Sequence, residues 1–218
     1  MKPSVVTFDC YGTLIDWESG IFQAFRAVSS IAPDRARLLE TYVEEEARIE
    51  KGEWRPYREV LAETARKVGE RLDLSVGDGS FLSESLSSWT PFKDVNPSLE
   101  ALREQRVLLG ILSNIDEDLL AATRAHFTTD FDFVITAETL KSYKPAPAHF
   151  LEAKRRVGER PWIHAAQSWY HDIVPACELG IRSAWINRRA EVQKATETTP
   201  EIETSDIETF VLALARPA

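Results

Sequence analysis

Five short apolar runs constrain this chain more than any other feature: residues 4–8 (SVVTF), 107–112 (VLLGIL), 132–136 (DFVIT), 162–166 (WIHAA) and 183–186 (SAWI). They are rich in Val, Ile and aromatics and lack strict polar alternation, the pattern of strands buried on both faces. Helical patterns lie between the later ones, over 97–105, 116–126, 145–157 and 172–179. Alternating strand and helix predicts an α/β fold with right-handed crossovers and a mostly parallel sheet covered by helices.

Residues 17–89 break this rhythm. DRARLLETYVEEEARIEKGEW and YREVLAETARKVGERL carry apolar residues at three- and four-residue spacing with charges between them, and so read as amphipathic helices. The acidic EEEARIE within the first reads most simply as a solvated helix face. The chain returns through WTPFKDVNPS, a Pro-containing linker. The expected division is a core of residues 1–15 and 93–218 with a helical segment, 16–92, inserted after the first strand. Leaving and re-entering at the sheet's carboxyl edge, that segment would sit as a cap and exclude water. Residues 190–205 are polar and are expected to form a surface loop before a last helix over 207–215.

The composition excludes several roles. A net charge of −9 opposes nonspecific binding to nucleic acid or anionic membranes, while leaving room for a small anionic substrate in a local pocket field. No apolar stretch approaches the ~20 residues needed to cross a bilayer. MKPSVVTFDC reaches Asp9 too early to hold a signal peptide's apolar core, and Cys10 and Cys177 have no metal or disulfide spacing. A cytoplasmic protein is expected.

The polar residues that follow the apolar runs are the candidate site. Asp9 follows the first run, Ser113 and Asn114 the second, Lys144 in KSYKPAPAHF the third, and Gln167, Ser168 and Asp172 the fourth. In a parallel sheet the carboxyl ends share one side, so these groups converge. Each has an ordinary alternative: a turn aspartate at Asp9, helix caps at Ser113 or Asn114, a solvated loop lysine at Lys144, a helix-start residue at Asp172. Together, at matched strand ends, they favour a site. An ammonium close to Asp9 would lower that carboxyl's pKa. His171 adjoins Asp172, but neighbouring helical residues point about 100° apart, which leaves His171 behind the site at most.

FDCYGTL, LSN, YKP before APAHF, and HDIVPACELGI resemble the four ordered motifs of the haloacid dehalogenase superfamily of hydrolases. The resemblance implies a Rossmann-like core with the first strand central, a helical cap, and Asp9 as nucleophile. Phosphatases of the superfamily usually have aspartate two residues after the nucleophile; here it is Tyr11, whose phenol is a poor proton donor near neutrality. Where they commonly place an acidic magnesium ligand there is Gln167, a weaker ligand for a hard cation.

Both departures resemble the 2-haloacid dehalogenase branch, which works without metal. By that resemblance Asp9 displaces halide from a small 2-haloalkanoic acid to form an ester, which water then cleaves at the Asp9 carbonyl. Lys144 would hold Asp9 ionised, Ser113, Asn114 and backbone near Tyr11 would bind the substrate carboxylate, and Asp172 would position water. No cofactor is implied. The alternatives are a magnesium-dependent phosphatase of a small phosphorylated metabolite and an inactive, metabolite-binding relative. Dimerisation is common in the family, although no interface is legible in this sequence. Members of the branch carry an arginine on an early cap helix that receives the halide; its place falls near Glu40 or Thr41, and none of Arg35, Arg37 and Arg48 takes it cleanly. Trp17, Trp54, Tyr57 and Trp89 line an apolar pocket against the cap or fill the cap core, the commoner use of aromatics at such spacing.

Overall fold

The computed structural model describes residues 2–193 and 198–215. The strands are β1 (Val5–Phe8), β2 (Leu108–Ser113), β3 (Phe133–Thr136), β4 (Trp162–Ala166), β5 (Ser183–Ile186) and β6 (Ile202–Thr204). They form one sheet in the order β3-β2-β1-β4-β5-β6, with every neighbouring pair parallel. Successive β1 side chains enter different cores: Val6 and Phe8 join one apolar cluster, Val5 the other. That is why the runs do not alternate in polarity; both faces of the sheet are covered. Phe8 is fully buried, and Phe8→Ala would cost about 3–5 kcal/mol.

β6 corrects the loop expected over 190–205. It pairs only with β5, as an edge strand, and its half-exposed IET leaves no apolar pattern to read. Residues 194–197 of that stretch lie outside the described residues.

Between β1 and β2 the chain forms α1 (Trp17–Val28), α2 (Arg35–Glu50), α3 (Tyr57–Leu72), the short α4 (Phe81–Ser85) and a 3₁₀ turn at Leu86–Ser88. Asp16 and Asp34 cap α1 and α2, accepting from Ser19 N and Arg37 N. The buried stripe of α2 is Leu38, Thr41, Tyr42 and Glu45, the i, i+3, i+4, i+7 spacing of one helix face. Exit and return lie side by side: Asp16 N donates to Thr90 O at 3.0 Å and Phe92 N to Leu14 O at 3.0 Å. Gly20 lets α1 meet Trp89, since a Cβ there would sit 2.4 Å from the indole ring.

The remaining helices are α5 (Val95–Glu104), α6 (Glu117–Arg124), α7 (Ala137–Leu140), α8 (Ala148–Val157), α9 (Val174–Glu178) and α10 (Ile207–Ala215). A π-helical turn at Trp169–Ile173 precedes α9, where the sequence predicts a single α-helix from Asp172. Asp116 stands at the N-terminus of α6, yet its carboxylate caps α3, accepting from Tyr57 N at 2.7 Å and Arg58 N at 3.0 Å. This stitches the helical segment to the end of β2. Among the described residues no helix is long and apolar enough to cross a membrane.

Candidate active site

The chain turns back on itself at β1: the strand order runs outward through β2 and β3 on one side and through β4, β5 and β6 on the other. Crevices form at the carboxyl ends beside such a reversal. Asp9 lies there, 8% exposed, in a loop whose Gly12 adopts a φ of +96°, a conformation that glycine takes without strain.

Lys144 is the centre of the cluster. Its ammonium is 1% exposed and donates to Asp9 Oδ1 at 2.9 Å, Asp172 Oδ1 at 2.7 Å and the Leu112 carbonyl at 2.9 Å. An ammonium has three N–H groups, so all are engaged. Burial alone would lower Lys144, but Asp172 and Asp9 outweigh it and raise it above the usual lysine value. Burial likewise acts to raise Asp172, yet Lys144 and His164 hold it at about 2. Asp9 moves the other way: burial and the nearby Asp172 raise it above its ordinary value, against the pull of Lys144 and Thr13. The lysine therefore acts on Asp9 in the expected direction, but burial determines the sign of the net shift.

Thr13 and His164 complete the cluster. Gln167 N–H donates to Thr13 Oγ1 at 2.9 Å, which directs the Thr13 proton to Asp9 Oδ2, also 2.9 Å away. The same logic fixes the His164 tautomer. The donor-only Trp162 Nε1 gives its proton to Thr7 Oγ1 at 2.8 Å, Thr7 donates to His164 Nδ1 at 2.8 Å, and His164 Nε2–H donates to Asp172 Oδ1 at 2.9 Å. Sequence reasoning missed both residues. Thr13 carried a signal, a hydroxyl four residues beyond Asp9; His164 carried none, being hidden in an apolar strand.

The other expected residues divide. Ser113 is 1% exposed and lines the cavity beside Lys144. Asn114 also lines it, but its amide staples the Lys144 backbone: Lys144 N donates to Oδ1 at 2.7 Å and Nδ2 donates to Lys144 O at 3.0 Å. Tyr11 presents its ring to the cavity while its hydroxyl pairs with Thr123 Oγ1 at 2.7 Å.

A model of the haloacid dehalogenase-like hydrolases matches residues 3–201. The chain belongs to this family. It is 27% identical over 223 residues to an (S)-2-haloacid dehalogenase of Pseudomonas sp. (strain YL), covering 94% of this chain and 92% of that one. It is 25% identical over 221 residues to haloacetate dehalogenase H-2 of Moraxella sp. (strain B), covering 98% and 99%. Its fold matches the crystal structure of an L-2-haloacid dehalogenase with a TM-score of 0.88 at 22% identity, over 99% of this chain and 100% of that one.

In this haloacid dehalogenase-like hydrolase the cluster floors a cavity of about 470 Å³ that is also lined by α1, by α2 and by Tyr57 at the start of α3. EEEARIE corrects the expectation of a solvated face, because Glu46 and Glu50 line the cavity. Glu46 Oε1 accepts from the hydroxyls of Tyr42 at 2.7 Å and Tyr57 at 2.5 Å. Burial raises both carboxyls, and Glu46 raises Glu50 further, against the pull of Lys144. The three-in-a-row acidic run conceals this, since Glu44 pairs with Arg71 at the surface while its neighbours turn inward.

Trp17, Tyr57 and Trp89 line the cavity; Trp54 does not, and lies under the Lys141 ammonium at 4.1 Å. Arg35 pairs with Glu18 and Arg48 with Glu45, away from the cavity, and the arginine that does line it is Arg189, from beyond β5. His171 also corrects the sequence reading. Through the π-helical turn both it and Asp172 reach the cavity, with His171 Nδ1 3.2 Å from Ser168 Oγ.

Proposed function

We propose that this hydrolase is a 2-haloacid dehalogenase-type enzyme that displaces halide from a small 2-haloalkanoic acid through an ester on Asp9. The observation that carries the reading is the Asp9–Lys144–Asp172 arrangement, combined with a Tyr11 hydroxyl committed to Thr123. A halide leaves without a proton, so the reaction needs no acid at position 11, whereas a phosphate monoester's alkoxide does.

In the first step the Asp9 carboxylate attacks the carbon bearing the halogen; the new C–O bond forms as the carbon–halogen bond breaks and halide departs. Thr13 and Lys144 orient the carboxylate by donating to different oxygens. Water then adds to the Asp9 carboxyl carbon, and the negative charge of the adduct develops beside the Lys144 ammonium. Asp172 Oδ2 has no hydrogen-bond partner among the described residues and is the acceptor available to that water. Collapse cleaves the ester bond, restores Asp9 and releases a 2-hydroxy acid; overall one water is consumed, and halide and a proton are produced. Splitting one displacement into two steps is the gain of a covalent nucleophile. Residues 16–92, as a cap, would keep bulk water from the ester.

A magnesium ion fits these residues poorly. The oxygens of Asp9 and Asp172 that face each other share the Lys144 ammonium, and Gln167 offers an amide rather than a carboxylate. Halide release from 2-chloropropanoate, measured with and without EDTA beside phosphate release from small phosphomonoesters, tests the reading. Halide release that survives chelator supports it; magnesium-dependent phosphate release without halide release would replace it with a phosphatase.

A further inference from the structure

Glu50 has no role in the chemistry above. Its side chain is 10% exposed and lines the cavity from the end of α2. It makes no hydrogen bond among the described residues, and His171 Nε2, at 3.7 Å, is beyond hydrogen-bond reach. Burial also holds His171 below its ordinary value, which disfavours the imidazolium that would pair with Glu50. Glu46, one turn earlier, is satisfied by two tyrosines.

The cations of the cavity wall are committed elsewhere. Lys144 has spent its three N–H groups, and Arg189 pairs with Glu18 and Glu191 and lies over the Trp17 ring. A buried carboxyl without a donor is costly, and a ligand that brings a donor relieves the cost. A cavity of about 470 Å³ lies in the range that accepts ligands much larger than a two- or three-carbon acid.

We infer that Glu50 is a subsite for a protonated amine at the end of the substrate remote from the carbon that Asp9 attacks. The inference rests on the proposed chemistry at Asp9 and names its substrate class: a 2-halo acid extended by an amine, zwitterionic at neutral pH. The carboxylate lies toward Ser113 and the ammonium toward Glu50. An arriving cation opposes the burial and the Glu46 charge that disfavour ionised Glu50, so amine and carboxylate pair as ions.

Calorimetry with two unreactive acids of matched length, 6-aminohexanoate and heptanoate, tests the subsite apart from the chemistry. The wild-type protein binds the amine about ten-fold more tightly or better, the effect of one charge-assisted hydrogen bond, and Glu50→Gln and Glu50→Ala both abolish the preference. Equal affinities, no binding of the amine, or a preference that survives both substitutions overturns the inference. Halide release from 2-chloropropanoate judges Asp9 separately: a protein that prefers the amine but frees no halide keeps the subsite and loses the reaction, and the converse result does the opposite.

Discussion

Lys144 Nζ lies 2.9 Å from Asp9 Oδ1 although the two residues are 135 positions apart, and the same nitrogen lies 2.7 Å from Asp172 Oδ1. One buried ammonium thus separates two buried carboxylates. Lys144→Met leaves those carboxylates facing each other with no countercharge between them, and the expected destabilisation is about 3–5 kcal/mol. Urea denaturation measures it; a midpoint equal to the wild type's would mean that the cluster is solvated and that its geometry is not held by charge.

Asp9→Asn keeps the shape of the side chain but removes the proposed nucleophile. Lys144 retains Asp172 as a partner, so the folded state survives, while turnover falls by at least about 10³-fold. Single-turnover reaction in H₂¹⁸O with the wild type places the label in the Asp9 peptide. Label found only in the product would mean that water attacks the substrate directly.

The pH profile follows from the direction of the Asp9 shift. Burial raises the carboxyl above 3.8, and the proposed mechanism requires the anion, so kcat/KM is expected to fall with decreasing pH through an apparent pKa above 3.8. An acid limb at or below 3.8 would show that Lys144 outweighs burial.

His164 is expected to act as a positioning residue for Asp172. His164→Phe removes the N–H donated to Asp172, slows ester hydrolysis by about ten-fold, and lets the Asp9 ester accumulate in mass spectra. Gln places an N–H near the former Nε2 and restores part of the rate. If Phe and Gln behave alike, or if stability falls while the ester never accumulates, His164 serves the core alone.

His149 makes stability depend on pH. Burial and the nearby Lys144 hold it at about 3 in the folded protein against 6.5 in the unfolded chain. Between those values the unfolded state takes up the proton and the folded state does not, so stability present above pH 6.5 is lost as pH falls, with a limiting slope of about 1.4 kcal/mol per pH unit. Asp172, at about 2 when folded, adds a loss of the same sign below pH 3.8. Urea midpoints between pH 7 and 4 record the first effect, and His149→Gln flattens it; an unchanged slope would place the proton uptake elsewhere.

By itself the sequence determined five of the sheet's six strands, the inserted helices and the convergence of Asp9, Ser113, Lys144 and Asp172, because these follow from local periodicity and from the rule that parallel strands end on one side. Tertiary structure decided the rest. Asp116 became a cap for α3 rather than for its own helix, and Asn114 a staple for the Lys144 backbone, because a side chain takes the donors and acceptors that the fold brings near. His164 joined the site through a chain from Trp162 and Thr7 that crosses two adjacent strands. EEEARIE reads as surface since charge normally seeks water, yet packing α2 across the cavity turned Glu46 and Glu50 inward. Even the sign of the Asp9 shift required three dimensions: the partner was legible in the sequence, but the depth of burial that outweighs it belongs to the folded protein.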